Sequence, residues 1–148
     1  MNIHPDFKEL LILLNYHKVE YLIAGAYALA FHGLPRFTGD LDILVRPHPE
    51  NAKRLLQVLE EFGFGSLGLL PEDFTVPEKV IQLGIPPVRI DVLTSLTGVT
   101  WEEAFAGRQA GKYDDVSVFY LGRDQFIANK RALGRHKDLA DIEALGEK

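Results

Sequence analysis

The sequence predicts an α+β domain, a small mixed β-sheet flanked by helices. Three observations predict it. A chain of 148 residues with 47% hydrophobic content can bury the core of one domain. Short apolar runs of strand length are interspersed with stretches whose apolar residues recur every three or four positions. The order near the start is strand, tight glycine turn, helix, strand, with no repeat, low-complexity tract or linker to divide the chain. A single domain over residues 1–148 is expected, with C-terminal helices at about 123–145 packed on it.

The elements follow in order. "PDFKELLILLNY" sets Phe7, Leu10, Leu11, Leu13 and Leu14 on one helical stripe, with Pro5 in the first turn. "YLIAGA" reads as a short buried strand ending at Gly25, and the alanine-rich "AYALAFHGL" as a helix that stops at Gly33, with Pro35 beyond. "LDILV" is the second strand. "PENAKRLLQVLEEFG" is the clearest helix, opened by Pro49 and Glu50 and closed by Gly63. The glycine- and proline-rich "GFGSLGLLPEDFTVPE" reads as a loop with room for a short strand. "KVIQLG" and "VRIDVLT" form a hairpin or meander around "IPP". "WEEAF" is a short helix, "VSVFYL" the last strand, and "RDQFIANKRAL" and "KDLADIEAL" two closing helices.

Composition narrows the function classes. There is no cysteine, so a disulfide framework and a thiolate metal site are both excluded. No apolar run has spanning length and the first residues lack a signal-peptide core, so a cytoplasmic protein with no membrane partner is expected. A net charge of -5 argues against broad binding to nucleic acid. One basic cluster opposes that average: Lys130, Arg131, Arg135, His136 and Lys137. The G-x-G-x-x-G at Gly63, Gly65 and Gly68 follows a helix rather than a strand, which rules out a dinucleotide fingerprint. The five histidines show no ligand spacing.

"FTGDLDILV" carries the strongest chemical signal. Alternation along a strand puts Asp40, Asp42 and Leu44 on one face, and two like charges so placed repel unless a cation lies between them or one keeps its proton. Asp91 interrupts the apolar run of "PVRIDVLT", where a lone buried aspartate is costly. If the two strands are neighbours, three carboxylates converge. Oxygen donors without sulfur or imidazole suit Mg²⁺ or Mn²⁺. The ordinary alternative is a turn cap at Asp40 and ion pairs of Asp42 with Arg36 or Arg46 and of Asp91 with Arg89.

Taken together, "LIAGAYALAFHGLPRFTGDLDILV" resembles the nucleotidyltransferase superfamily with the polymerase-beta-like fold. In its pattern an apolar strand ends in Gly-Gly or Gly-Ser, a helix follows, and Asp-x-Asp lies on the next strand. Here Gly25-Ala26 is followed by thirteen residues and then Asp40-Leu41-Asp42, and a third carboxylate on a later strand matches Asp91. "PRFTGDLD" and "ANKRALGRHKDLADIEAL" are similar to the minimal bacterial and archaeal members, including those of toxin and antitoxin systems. The likeness runs from about Tyr21 to Leu145. One departure is Ala26, where members commonly carry Ser or Gly; alanine has no hydroxyl for a phosphate, though a backbone N–H at the helix start remains.

The resemblance implies a metal-dependent transfer of a nucleoside monophosphate from a nucleoside triphosphate to a hydroxyl on RNA, protein or a small molecule. It assigns Asp40, Asp42 and Asp91 to Mg²⁺ or Mn²⁺ and catalysis. Gly25, Ala26, Arg36, Thr38, Lys130 and Lys137 become nucleotide contacts, with Asp138 and Asp141 able to orient the lysines. The alternative is a catalytically weak or inactive relative that binds nucleotide, or acts as one half of a toxin and antitoxin pair. A homodimer or a partner chain is expected from the small size.

Overall fold

The computed structural model describes residues 3–34, 39–85 and 87–146. Helix α1 (Pro5–Tyr16) leads into β1 (Tyr21–Ala24), α2 (Gly25–Phe31) and β2 (Asp40–Val45). Helix α3 (Pro49–Leu59) is followed by β3 (Val80–Leu83), β4 (Arg89–Leu93) and α4 (Trp101–Ala106). The chain closes with β5 (Gln109–Tyr113), β6 (Val116–Tyr120), α5 (Arg123–Leu133) and α6 (His136–Ala144).

The six strands form one mixed sheet in the order β3-β4-β2-β1-β6-β5. β2 runs parallel to β4, and β1 to β6; the other three pairs are antiparallel. The expected β3–β4 hairpin is present, with Gln82 opposite Asp91. Two features differ from the sequence reading. "QAGKY" pairs with β6 as an edge strand, turning through Asp114 at φ 56°. Its apolar residues do not alternate, so no strand period announces it. Residues 60–74 hold helical turns, Glu60–Phe64, Gly65–Leu67 and Pro71–Phe74, and no strand.

The apolar stripes of α1 (Phe7, Leu10, Leu11, Leu14) and α3 (Leu55, Val58, Leu59) join Ile23, Leu41, Ile43, Ile90 and Val92 in a single core. Each such side chain contributes roughly 1.5–3 kcal/mol on burial. Phe126 of α5 belongs to the same cluster. Helix starts are capped locally: the His4 and His48 Nδ1 atoms accept from the backbone N–H groups of Asp6 and Glu50, each at 3.2 Å. His32 meets the Leu121 carbonyl at 2.7 Å and His17 contacts Glu61. Among the described residues no helix is long and apolar enough to cross a membrane.

Candidate active site

The strand register builds the site. β1 and β2 pair with Ala24 opposite Asp42, and β2 and β4 pair with Asp42 opposite Asp91 and Asp40 opposite Arg89. A direct parallel pairing of β2 and β4 thus brings together the carboxylates that lie far apart in sequence. Asp91 is 8% exposed. Asp42 is pushed up to about 6, first by burial, then by the charges of Asp91 and Asp40 and a hydrogen bond with Asp91, with Arg89 opposing.

Gly25 makes that crowding possible. It sits at φ 60°, in the left-handed region, where β1 turns into α2. A Cβ placed on it would fall 1.9 Å from Asp42 Oδ2 and 2.8 Å from Cγ. The glycine therefore serves as a cradle for the Asp42 carboxylate. Ala26 is half-buried and lies one residue beyond the cleft lining.

Among the described residues, Arg89 brings a positive charge to the cluster. Its Nε and Nη2 donate to the two Asp91 carboxylate oxygens, each at 3.1 Å, and Nε lies 3.7 Å from Asp40 Oδ2. The pairing of Asp91 with Arg89 is the one the ordinary reading of the sequence expected. Arg46 instead pairs with Glu20 at 2.9 Å. Among the described residues, no three His, Asp or Glu side chains already surround one ion position.

A cleft of about 350 Å³ opens over Gly25 and Asp42 and is bounded on its far side by Asn129, Lys130 and Arg135. Helix α5 ends at Gly134, which takes φ 65°, and the sharp reversal into α6 aims Arg135 back at Lys130. Both cations meet Asp138, which is wholly buried. Arg135 donates from Nε at 2.6 Å and Nη2 at 3.2 Å, and Lys130 Nζ lies 3.5 Å away. The guanidinium and ammonium hold the Asp138 carboxyl below the usual carboxylate range. Asp138 thus takes up one of two positive charges and leaves the wall net positive.

Lys130 accordingly stands in the cleft, whereas Lys137 is exposed on α6 and does not line it. Arg36 and Thr38 lie outside the described residues. Asp138 meets Lys130, one of the lysines it was expected to be able to orient, whereas Arg135 is a part of the constellation that sequence reasoning named only within the basic cluster. The signal was present in the i,i+3 spacing of "RHKD" after Gly134. A second cavity of about 300 Å³, lined by Arg46, His48, Thr94 and Trp101, meets the first at Ser95 and Leu96.

No family model and no curated protein matches this sequence. Solved structures do. A candidate nucleotidyltransferase from Thermotoga maritima superposes with a TM-score of 0.58 at 17% identity, over 98% of this chain and 93% of that one. The lincosamide antibiotic adenylyltransferase LnuA, with lincomycin bound, gives 0.54 at 13% identity, over 99% and 98%. The chain has the nucleotidyltransferase fold. Both matches extend over nearly the entire chain.

The donor set fits a hard divalent cation. The carboxylates are oxygen donors with no sulfur or imidazole beside them, Asp42 and Asp91 are held in like-charge contact, and the Gly25 cradle fixes one of them.

Proposed function

We propose that the protein is a nucleotidyltransferase that moves a nucleoside monophosphate from a triphosphate to a hydroxyl acceptor. The observation that carries the reading is the contact of Asp42 with Asp91, set by strand register, with Asp42 against Gly25 and lining the cleft that Lys130 and Arg135 also line. Asp40, Asp42 and Asp91 would hold Mg²⁺ or Mn²⁺, which when bound neutralises phosphate charge and lowers the barrier to in-line displacement.

The chain's own residues do the rest. Lys130 and Arg135 face the cleft as the cations for the β- and γ-phosphates, and Asp138 orients both. The Gly25 backbone N–H at the start of α2 adds a donor for phosphate oxygen. Asp91 receives the proton of the acceptor hydroxyl as its oxygen attacks the α-phosphorus. An O–P bond forms there, the bond to the β-phosphate bridge oxygen breaks, and pyrophosphate leaves.

The acceptor class comprises RNA, protein or a small molecule. The test is incubation with each α-labelled nucleoside triphosphate, Mg²⁺ or Mn²⁺, and total RNA or cell lysate, beside an Asp40→Asn/Asp42→Asn double variant. Label should move with the wild type alone. Transfer that persists in the double variant removes the carboxylates from the mechanism.

Ala26 favours a second reading, nucleotide binding without turnover, in which the protein serves as a partner module of a toxin and antitoxin pair. It is distinguished by thermal stabilisation with nucleotide and Mg²⁺ in the absence of any label transfer.

A further inference from the structure

We propose that Arg89 is a stand-in cation that competes with the divalent ion, so that metal loading requires its guanidinium to let go of Asp91. This rests on the reading of Asp40, Asp42 and Asp91 as cation ligands. Both Asp91 oxygens accept from Arg89 at 3.1 Å, and the same guanidinium lies 3.7 Å from Asp40. A fork-on-fork pair of this kind uses the in-plane lone pairs that an ion would need. Asp91 is 8% exposed, so its oxygens have few other directions to offer. A guanidinium and a divalent ion on one carboxylate also repel each other, strongly so where water is scarce.

Placement supports release. Arg89 begins β4, opposite Asp40 at the start of β2, and its side chain is 30% exposed. It can therefore turn into water without opening the apolar core. Asp91 then becomes available, on the same face of the sheet as Asp40 and Asp42. Arg89 thus holds the cluster together in the metal-free protein and gives way to the ion.

The opposite role is a brace: Arg89 would stay in place and orient Asp91 toward the ion. The two roles predict opposite signs for one measurement. Mn²⁺ binding is titrated by electron paramagnetic resonance, without nucleotide, for the wild type, Arg89→Gln and Arg89→Lys. Competition predicts about tenfold tighter Mn²⁺ binding in Arg89→Gln, from removal of one positive charge at the ion position. Arg89→Lys, which keeps the charge and loses the fork, falls between. Arg89→Gln should also lose thermal stability without metal and gain more than the wild type when Mn²⁺ is added. If Arg89→Gln does not fold, Arg89→Lys carries the comparison. Equal or weaker Mn²⁺ binding by folded variants, beside clear binding by the wild type, overturns the competition. No Mn²⁺ bound by any folded form removes the cation-ligand reading itself.

Discussion

Two walls of one cleft treat buried charge in opposite ways. On the sheet wall, Asp42 lines the cleft and stands with Asp40 and Asp91 around the Arg89 guanidinium, and Asp42 is pushed up to about 6. On the helical wall, one buried carboxylate, Asp138, is served by both Arg135 and Lys130 and is held below its usual range. Among the described residues, the first arrangement sets like charges against one another and the second sets two cations on one carboxylate. Like charges held in contact cost stability, and that cost is what a bound cation would relieve under the proposed function. A region that balances its charges is scaffold, and only its surplus charge faces the cleft.

The contrast breaks first at Gly25. Gly25→Ala places a methyl group inside the Asp42 carboxylate and a non-glycine residue at positive φ, itself costing about 1–2 kcal/mol. Label transfer should fall more than 100-fold, on the order of 3 kcal/mol or above in the barrier. Transfer kinetics and a urea melt report the two effects.

Asp138→Ala should cost about 2–3 kcal/mol of folding stability, because it strands two cations. The figure sits below that of a fully buried pair since the Arg135 side chain is 53% exposed. Denaturant midpoints at constant slope check it.

Asp42→Asn should act in the other direction and depend on pH. An acid whose folded pKa is raised stabilises the protein fully below its unfolded value of about 4, and that contribution is lost as pH rises through about 6. A shift of this size corresponds to about 3 kcal/mol at most, and residual exposure of Asp42 reduces it. In metal-free buffer the variant should therefore melt higher than the wild type at pH 8 and alike at pH 4. Calorimetry at the two pH values decides whether the sheet wall is the strained one.

The smallest effect separates the two lysines. Lys130→Ala should weaken triphosphate binding about tenfold, the loss of one charge-assisted contact, while Lys137→Ala leaves it unchanged. Equal effects in a binding titration would place the surplus charge elsewhere on α6.

Much of this was legible in the sequence. Periodicity located α1 and α3, the turn at Gly25 placed the start of α2, and "DLD" announced a repulsive pair on a strand edge. The weakly patterned "QAGKY" was not legible as a strand, since its pairing with β6 supplies what its composition lacks. Nor was the preference for Lys130 over Lys137 decisive before the turn at Gly134 set α6 at a new angle to α5.

By itself, then, the sequence determined most of the local elements and the residue types offered for the candidate site: three aspartates, a turn glycine and a basic C-terminal run. Those depend on side-chain period and turn chemistry, which act over a few residues. Only the tertiary structure decided that Asp91 faces Asp42, that Arg89 and not Arg46 enters the cluster, and that Arg135 and Lys130 share Asp138. Such pairings depend on strand register and helix reversal. They bring together residues whose mutual energy is set by distance and burial in space, and neither is written in the spacing along the chain.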